Sequence, residues 1–153
     1  MIAVTNGIVD LRTGDLRAGK RDDRITMHLL FAYDPDATCP RWEQFIAEVL
    51  DGDPEMVAYL RRQVGYSLTG LTSEQVWWLL YGKGANGKSV FLETLADAFA
   101  PLALTTPFAT FEKQRPGAIP NDLAALAGRH LVIASETNEN AKLNEARIKG
   151  VVH

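Results

Sequence analysis

Hydrophobic residues recur along this chain with two different periods. Trp42, Phe45, Ile46, Val49 and Leu50 fall at the i, i+3, i+4, i+7, i+8 spacing of a helix with one apolar stripe. Asp51-Gly52-Asp53-Pro54 breaks the stripe and predicts a helix stop and a new start, with Asp53 as N-cap and Pro54 at the first helical position. Met56, Leu60 and Val64 share a face of that second helix, and the stretch from Tyr66 to Thr72, punctuated by Gly65 and Gly70, reads as a linker. From Ser73 the pattern changes to alternating strands and helices. Val76-Trp77-Trp78-Leu79-Leu80-Tyr81 is the continuous apolar run expected of a strand covered on both faces of a parallel sheet. Phe91, Leu95 and Phe99 predict a helix after it, and Leu102–Thr106 and His130–Ser135 predict two more strands. Between those strands, residues 108–120 read as a loop and Asn121 opens a short helix through Ala127, ended by Gly128; a weaker helix is expected around Leu143–Val151. Near the start, Gly7–Leu11 and Leu16–Ala18 flank the turn Arg12-Thr13-Gly14-Asp15 as a small β element. Residues 20–40 are a polar connector with one short strand at Met27–Phe31.

Composition narrows the class without naming a function. The 153 residues are 46% hydrophobic and 23% charged, the profile of a folded domain rather than a disordered chain. The longest apolar run falls far short of the roughly 20 residues of a spanning helix, and the first residues lack a basic and apolar leader. Neither a membrane partner nor secretion is therefore expected, and the single Cys39 points to a reducing compartment such as a cytoplasm. A formal charge of −3 provides no global basic field, so nucleic-acid contact would need local patches or several assembled subunits. Trp77 and Trp78 read as core, Arg61-Arg62 as a solvated face and Cys39 as a small buried thiol. His28, His130 and His153 have no partners at metal-ligand spacing.

One motif carries chemistry. Gly82-Lys83-Gly84-Ala85-Asn86-Gly87-Lys88-Ser89 fits G-x4-G-K-[ST] at every fixed position, between a predicted strand and a predicted helix. Its glycines let the backbone curl so that several N–H groups face one phosphate, while the following helix aims its positive end there. Gly82, Gly84, Ala85, Asn86, Gly87, Lys88, Ser89 and Val90 are the expected ATP-binding residues. Lys88 would bridge the β- and γ-phosphates, and the Ser89 hydroxyl would hold Mg2+. His130-Leu131-Val132-Ile133-Ala134-Ser135-Glu136 is an apolar strand ending in a carboxylate. In a parallel sheet the C-terminal strand ends share one edge, so Glu136 is the candidate base and a second metal-facing group. Ser135 stands where many phosphate-loop enzymes have a second acid, leaving metal to Ser89, phosphates and water.

The ordered set of these segments resembles the phage and plasmid primase–helicases, whose motor belongs to helicase superfamily 3. The resemblance runs through Asn6-Gly7-Ile8-Val9-Asp10-Leu11, Ala37-Thr38-Cys39-Pro40-Arg41-Trp42, Gly65-Tyr66-Ser67-Leu68-Thr69-Gly70, Asn86-Gly87-Lys88-Ser89 and Asn121-Asp122-Leu123-Ala124. It ends on Ser135-Glu136-Thr137 and Leu143-Asn144-Glu145-Ala146 with Ile148-Lys149. It implies an α/β fold: a P-loop NTPase core of AAA+ type over residues 73–153, preceded by a hairpin and helical domain over 1–72. It also implies a hexameric, ATP-driven translocase that unwinds DNA, with Lys142 and Lys149 leading toward a DNA-contacting hairpin. The family pattern continues into a sensor strand and an arginine finger beyond His153. In the resembled fold that strand lies between the phosphate-loop strand and the Glu136 strand, so little ATPase activity is expected of these residues alone.

Two other readings share the phosphate loop. A nucleotide or small-molecule kinase would need an arginine cluster after the loop, and only Arg115 and Arg129 lie between it and Glu136. A non-catalytic remnant that binds subunits would carry the motif without turnover.

Overall fold

The computed structural model describes residues 1–112, 121–135 and 144–151. Three short antiparallel strands open the chain: β1 (Ile2–Val4), β2 (Gly7–Val9) and β3 (Leu16–Arg17), in that order across the sheet. The register pairs Ile2 with Val9 and Val9 with Leu16. The hairpin between β2 and β3 is the one its turn residues predict, whereas β1 is too short to show a period. Residues 27–31 do not form a ladder strand, but they follow the free side of β1 through two backbone bonds. Leu29 N–H donates to the Ala3 carbonyl at 2.9 Å and Thr5 N–H to the Phe31 carbonyl at 3.0 Å.

Helix α1 (Pro40–Val49) starts at a proline, whose missing N–H costs nothing in a first turn. Helix α2 (Pro54–Thr69) is capped as its sequence predicts: the Asp53 carboxylate accepts from the N–H groups of Glu55 and Met56 at 2.9 and 3.1 Å. It runs through Gly65 and ends on Gly70, so residues 66–69 are helix and not linker. One helix-compatible glycine costs only about 1 kcal/mol, and the apolar face continues through Val64 and Leu68 into the core.

Helix α3 (Lys88–Ala98) follows the phosphate-loop motif, and strand β4 (Ala103–Pro107) follows α3. The single-turn α4 (Asn121–Ala124) is shorter than expected, and the chain turns through Gly128 into β5 (Leu131–Ser135). Strands β4 and β5 pair in parallel, with Ala103 opposite Leu131 and Pro107 opposite Ser135. Helix α5 (Glu145–Val151) lies against the 3-10 turn Phe108–Phe111, tied by Asn144 N–H to the Phe111 carbonyl at 2.7 Å. No helix among the described residues is long and apolar enough to cross a membrane.

Ile2, Val4, Val9, Leu29, Ile46, Phe91, Leu95, Phe99 and Leu102 form one buried cluster. The predicted stripes of α1 and α3 therefore face each other, and the N-terminal sheet closes over them. Trp42 stacks on Phe91 with ring centroids 5.7 Å apart and 12° between planes, and meets Phe45 at 5.5 Å.

Residues 76–81 depart from expectation. They pair with no strand among the described residues, and Trp77, Leu79 and Tyr81 are 51%, 69% and 87% exposed. An extended segment without a ladder leaves its N–H and C=O groups to water, which accounts for the exposure. Its attachment is instead to α2: Glu74 N–H donates to the Tyr66 hydroxyl at 3.1 Å, and the Trp78 ring meets Tyr66 edge-on at 6.2 Å. Cys39, too, is exposed rather than buried, because it sits at the N-cap of α1 on the connector side. Arg61 and Arg62 are solvated, as expected.

The N-terminal unit carries one strong ion pair. Arg17 donates both guanidinium ends to Asp23, at 2.6 and 3.0 Å, and Lys20 N–H donates to the same carboxylate at 2.6 Å. Arg17 first, then the Lys20 N–H, holds the Asp23 carboxyl down at about 2 from its ordinary 3.8. A depressed carboxyl stabilises the fold above its unfolded pKa, and that contribution is lost as pH falls through the folded one. The urea midpoint should therefore lose a component between about pH 4 and pH 2. Asp23→Asn should lower the midpoint at neutral pH and remove that component of the acid slope.

Candidate phosphate-binding site

The site is built at the junction between an exposed, extended segment and the first turn of α3. Gly84, Ala85 and Gly87 all have positive φ, at +82°, +48° and +80°. Successive turns of this kind direct backbone N–H groups into a common concavity suited to an anion. Gly82, Gly84, Ala85 and Asn86 are exposed, and Gly87 is half-buried as the N-cap residue of α3. The Gly87 carbonyl accepts the first helical bond, from Phe91 N–H at 2.9 Å.

Lys88 folds back across the loop. Its Nζ donates to Asn86 Oδ1 at 2.6 Å and to the Gly82 carbonyl at 3.3 Å. A Cβ on Gly82 would collide with the Asn86 amide, so the absence of a side chain there is what lets the loop close. The ammonium is thus held over the loop by two neutral oxygens, those of the Asn86 side chain and the Gly82 carbonyl. Ser89 is exposed in the first turn of α3, and Val90 is 53% exposed, with its carbonyl accepting from Thr94 Oγ1 at 2.7 Å. The eight expected phosphate-site residues therefore lie together, with open space at Gly84, where an added Cβ would meet nothing within 4 Å.

Glu136 and Lys142 lie outside the described residues, as does Arg115. Lys149 is exposed on α5. Among the described residues no three His, Cys, Asp or Glu side chains stand close enough to hold a metal ion. Arg129 is engaged elsewhere: its guanidinium donates to the Pro101 carbonyl and reaches Met27 Sδ at 3.8 Å. His130 is a structural link, with Nδ1 2.8 Å from the Leu68 carbonyl at the end of α2.

Two features escape a reading of the sequence. Asn86 belongs to a variable position of the loop motif, yet it is the nearest partner of Lys88. The α1 stripe signals a buried face but not its partner, which includes Gly87 itself. A Cβ on Gly87 would lie 2.6 Å from Val49 Cγ1 and 3.2 Å from the Phe45 ring.

The sequence comparisons agree in direction. Residues 1–51 match the family described as D5 N terminal like. A protein of Acanthamoeba polyphaga mimivirus named as a putative helicase is 32% identical over 110 residues, 67% of this chain and 11% of its own length. Another of that description, from Invertebrate iridescent virus 6, is 25% identical over 159 aligned positions, 99% of this chain and 16% of its own length. The chain thus spans between a tenth and a sixth of the curated relatives it matches.

Gly87→Ala should destabilise the fold by about 2 kcal/mol or more, since it combines positive-φ strain with overpacking against Val49. Urea unfolding measures this. Gly84→Ala meets open space, so it should cost only its backbone strain, about 1 kcal/mol.

Residues 1–51 are thus similar to the D5 N terminal like family, and the chain is similar to viral proteins named as putative helicases over a length that takes in residues 82–89.

Proposed function

We propose that the chain is the ATP-binding portion of a superfamily 3 DNA helicase or primase–helicase, acting in phage or plasmid DNA replication. The observation that carries the reading is the Lys88 ammonium held over a loop of positive-φ residues at the start of α3. Such a loop offers backbone N–H groups and one cation to a polyphosphate, and the helix dipole adds to both. Gly84 to Ser89 would hold the phosphates and the Ser89 hydroxyl would hold Mg2+. The metal supplies charge neutralisation on the β- and γ-phosphate oxygens when bound. Lys88 would exchange its present oxygen partners for phosphate oxygens, so the charge needed there is already in position.

Glu136, the residue after β5, is proposed as the base that orients water. Lys142 and Lys149 are proposed DNA contacts in the assembled protein, a homo-oligomeric ring acting on single-stranded or forked DNA. The parallel pair β4–β5 beside α3 is compatible with an AAA+-like α/β core. The helicase description of the viral relatives supports the choice of motor over kinase, and so does the engagement of Arg129 away from the loop.

Nucleotide affinity tests the site. The 153-residue chain should bind Mg-ATP, and Lys88→Ala should weaken binding by roughly tenfold or more, the loss of a charged hydrogen bond to phosphate. Equal binding by wild type and Lys88→Ala would overturn the assignment. In a version of the chain extended past residue 153, ATP hydrolysis should rise on addition of single-stranded DNA; phosphate transfer to a small acceptor would instead establish a kinase.

A further inference from the structure

The phosphate loop makes few contacts of its own, yet its exit into α3 rests on one face of α1. Trp42, Phe45 and Val49 stand at i, i+3 and i+7 of that helix. Phe45 and Val49 fill the space directly over the α-carbon of Gly87, and Trp42 stacks on Phe91, one turn further along α3. Gly87 and Phe91 are themselves joined by the first hydrogen bond of α3. Three side chains of one stripe therefore bear on the two ends of the same helical turn.

That turn carries the N–H groups proposed to meet phosphate. Their direction depends on the φ of Gly87 and on the tilt of α3, and both are set by contact with α1. Sub-ångström placement matters for groups that act through aimed hydrogen bonds. The residues concerned lie within the D5 N terminal like region, residues 1–51, while the loop lies outside it.

We infer that Phe45 and Val49 are positioning residues for the nucleotide site, and that the D5 N terminal like region controls nucleotide affinity through them. The inference rests on the proposed ATP site. By linkage the control is reciprocal: nucleotide that fixes the loop also fixes α1.

Two measurements on the 153-residue chain separate this role from ordinary core packing. The variants are Phe45→Leu and Val49→Ala, with Leu95→Ala as the structural control, since Leu95 is buried in the same cluster two turns beyond Gly87. Hydrogen exchange without nucleotide should show faster exchange of the 84–89 amides in Phe45→Leu and Val49→Ala, but not in Leu95→Ala. Affinity for the fluorescent nucleotide mant-ATP with Mg2+ should fall by about fivefold to tenfold in the two α1 variants, the scale of one aimed hydrogen bond. It should stay within about twofold in Leu95→Ala, although that variant lowers the melting temperature most.

Unchanged loop exchange in both α1 variants would overturn the inference while leaving the nucleotide site standing. So would an equal effect of Leu95→Ala. Failure of the wild-type chain to bind mant-ATP would overturn the site reading and the affinity claim with it. The exchange result, read without nucleotide, would still show whether α1 holds the loop.

Discussion

The contact between α1 and the start of α3 is the constraint on which the rest of the structure depends. Trp42, Phe45, Ile46 and Val49 meet Gly87, Phe91 and Leu95, and the N-terminal sheet and Leu102 close around that seam. Burying an aromatic or branched side chain is worth about 1.5–3 kcal/mol each. An exposed pair such as Arg41–Glu48, 3.9 Å apart with both side chains largely in water, contributes at most about 1 kcal/mol. The apolar seam therefore decides how the two halves of the chain sit. The charges around it mostly decorate its surface, with Arg17–Asp23 holding the turn after β3 as the exception.

A glycine-rich loop is poor at holding itself. It gains little burial, and Ala85 at φ +48° carries strain on the order of 1 kcal/mol or more. What orders it here comes from its ends. On the inside, Lys88 and Asn86 bridge back to Gly82. On the outside, the wall of Phe45 and Val49 leaves no room for a side chain on Gly87. A loop ordered before ligand arrives has already met part of the entropy cost of binding, so under the proposed nucleotide reading the α1 wall would bear on phosphate recognition as well as on packing.

The helices, the hairpin and the strands β4 and β5 were largely legible in the sequence, and the strand expected at residues 76–81 pairs with none among the described residues. The stripes of α1 and α3, the Asp53 cap and the hairpin turn each follow from local spacing, because a helix satisfies its hydrogen bonds within itself. Gly65 misled the end of α2, since one glycine cannot outweigh a continuing apolar face. In the candidate site, the turning backbone at Gly84 and Gly87 was legible because the motif encodes backbone shape. Asn86 as the partner of Lys88 was not, because it occupies a position the motif leaves free. The partnership of Val49 with Gly87 is likewise silent, since the two are brought together only by tertiary packing.

Residues 76–81 show why an apolar run is a weaker signal than an apolar stripe. A strand exists only beside another strand, and composition cannot report whether a neighbouring edge is there. Lacking one among the described residues, the segment leans on α2 through Tyr66 and leaves Trp77 and Tyr81 in water. The phosphate loop is therefore entered from a segment that imposes little geometry. Its shape is imposed from the other side, by the helix it leads into and by the α1 face under that helix. In this structure the start of α3 and the loop before it are features of the α1–α3 seam, and the seam is what leaves no room for a side chain on Gly87.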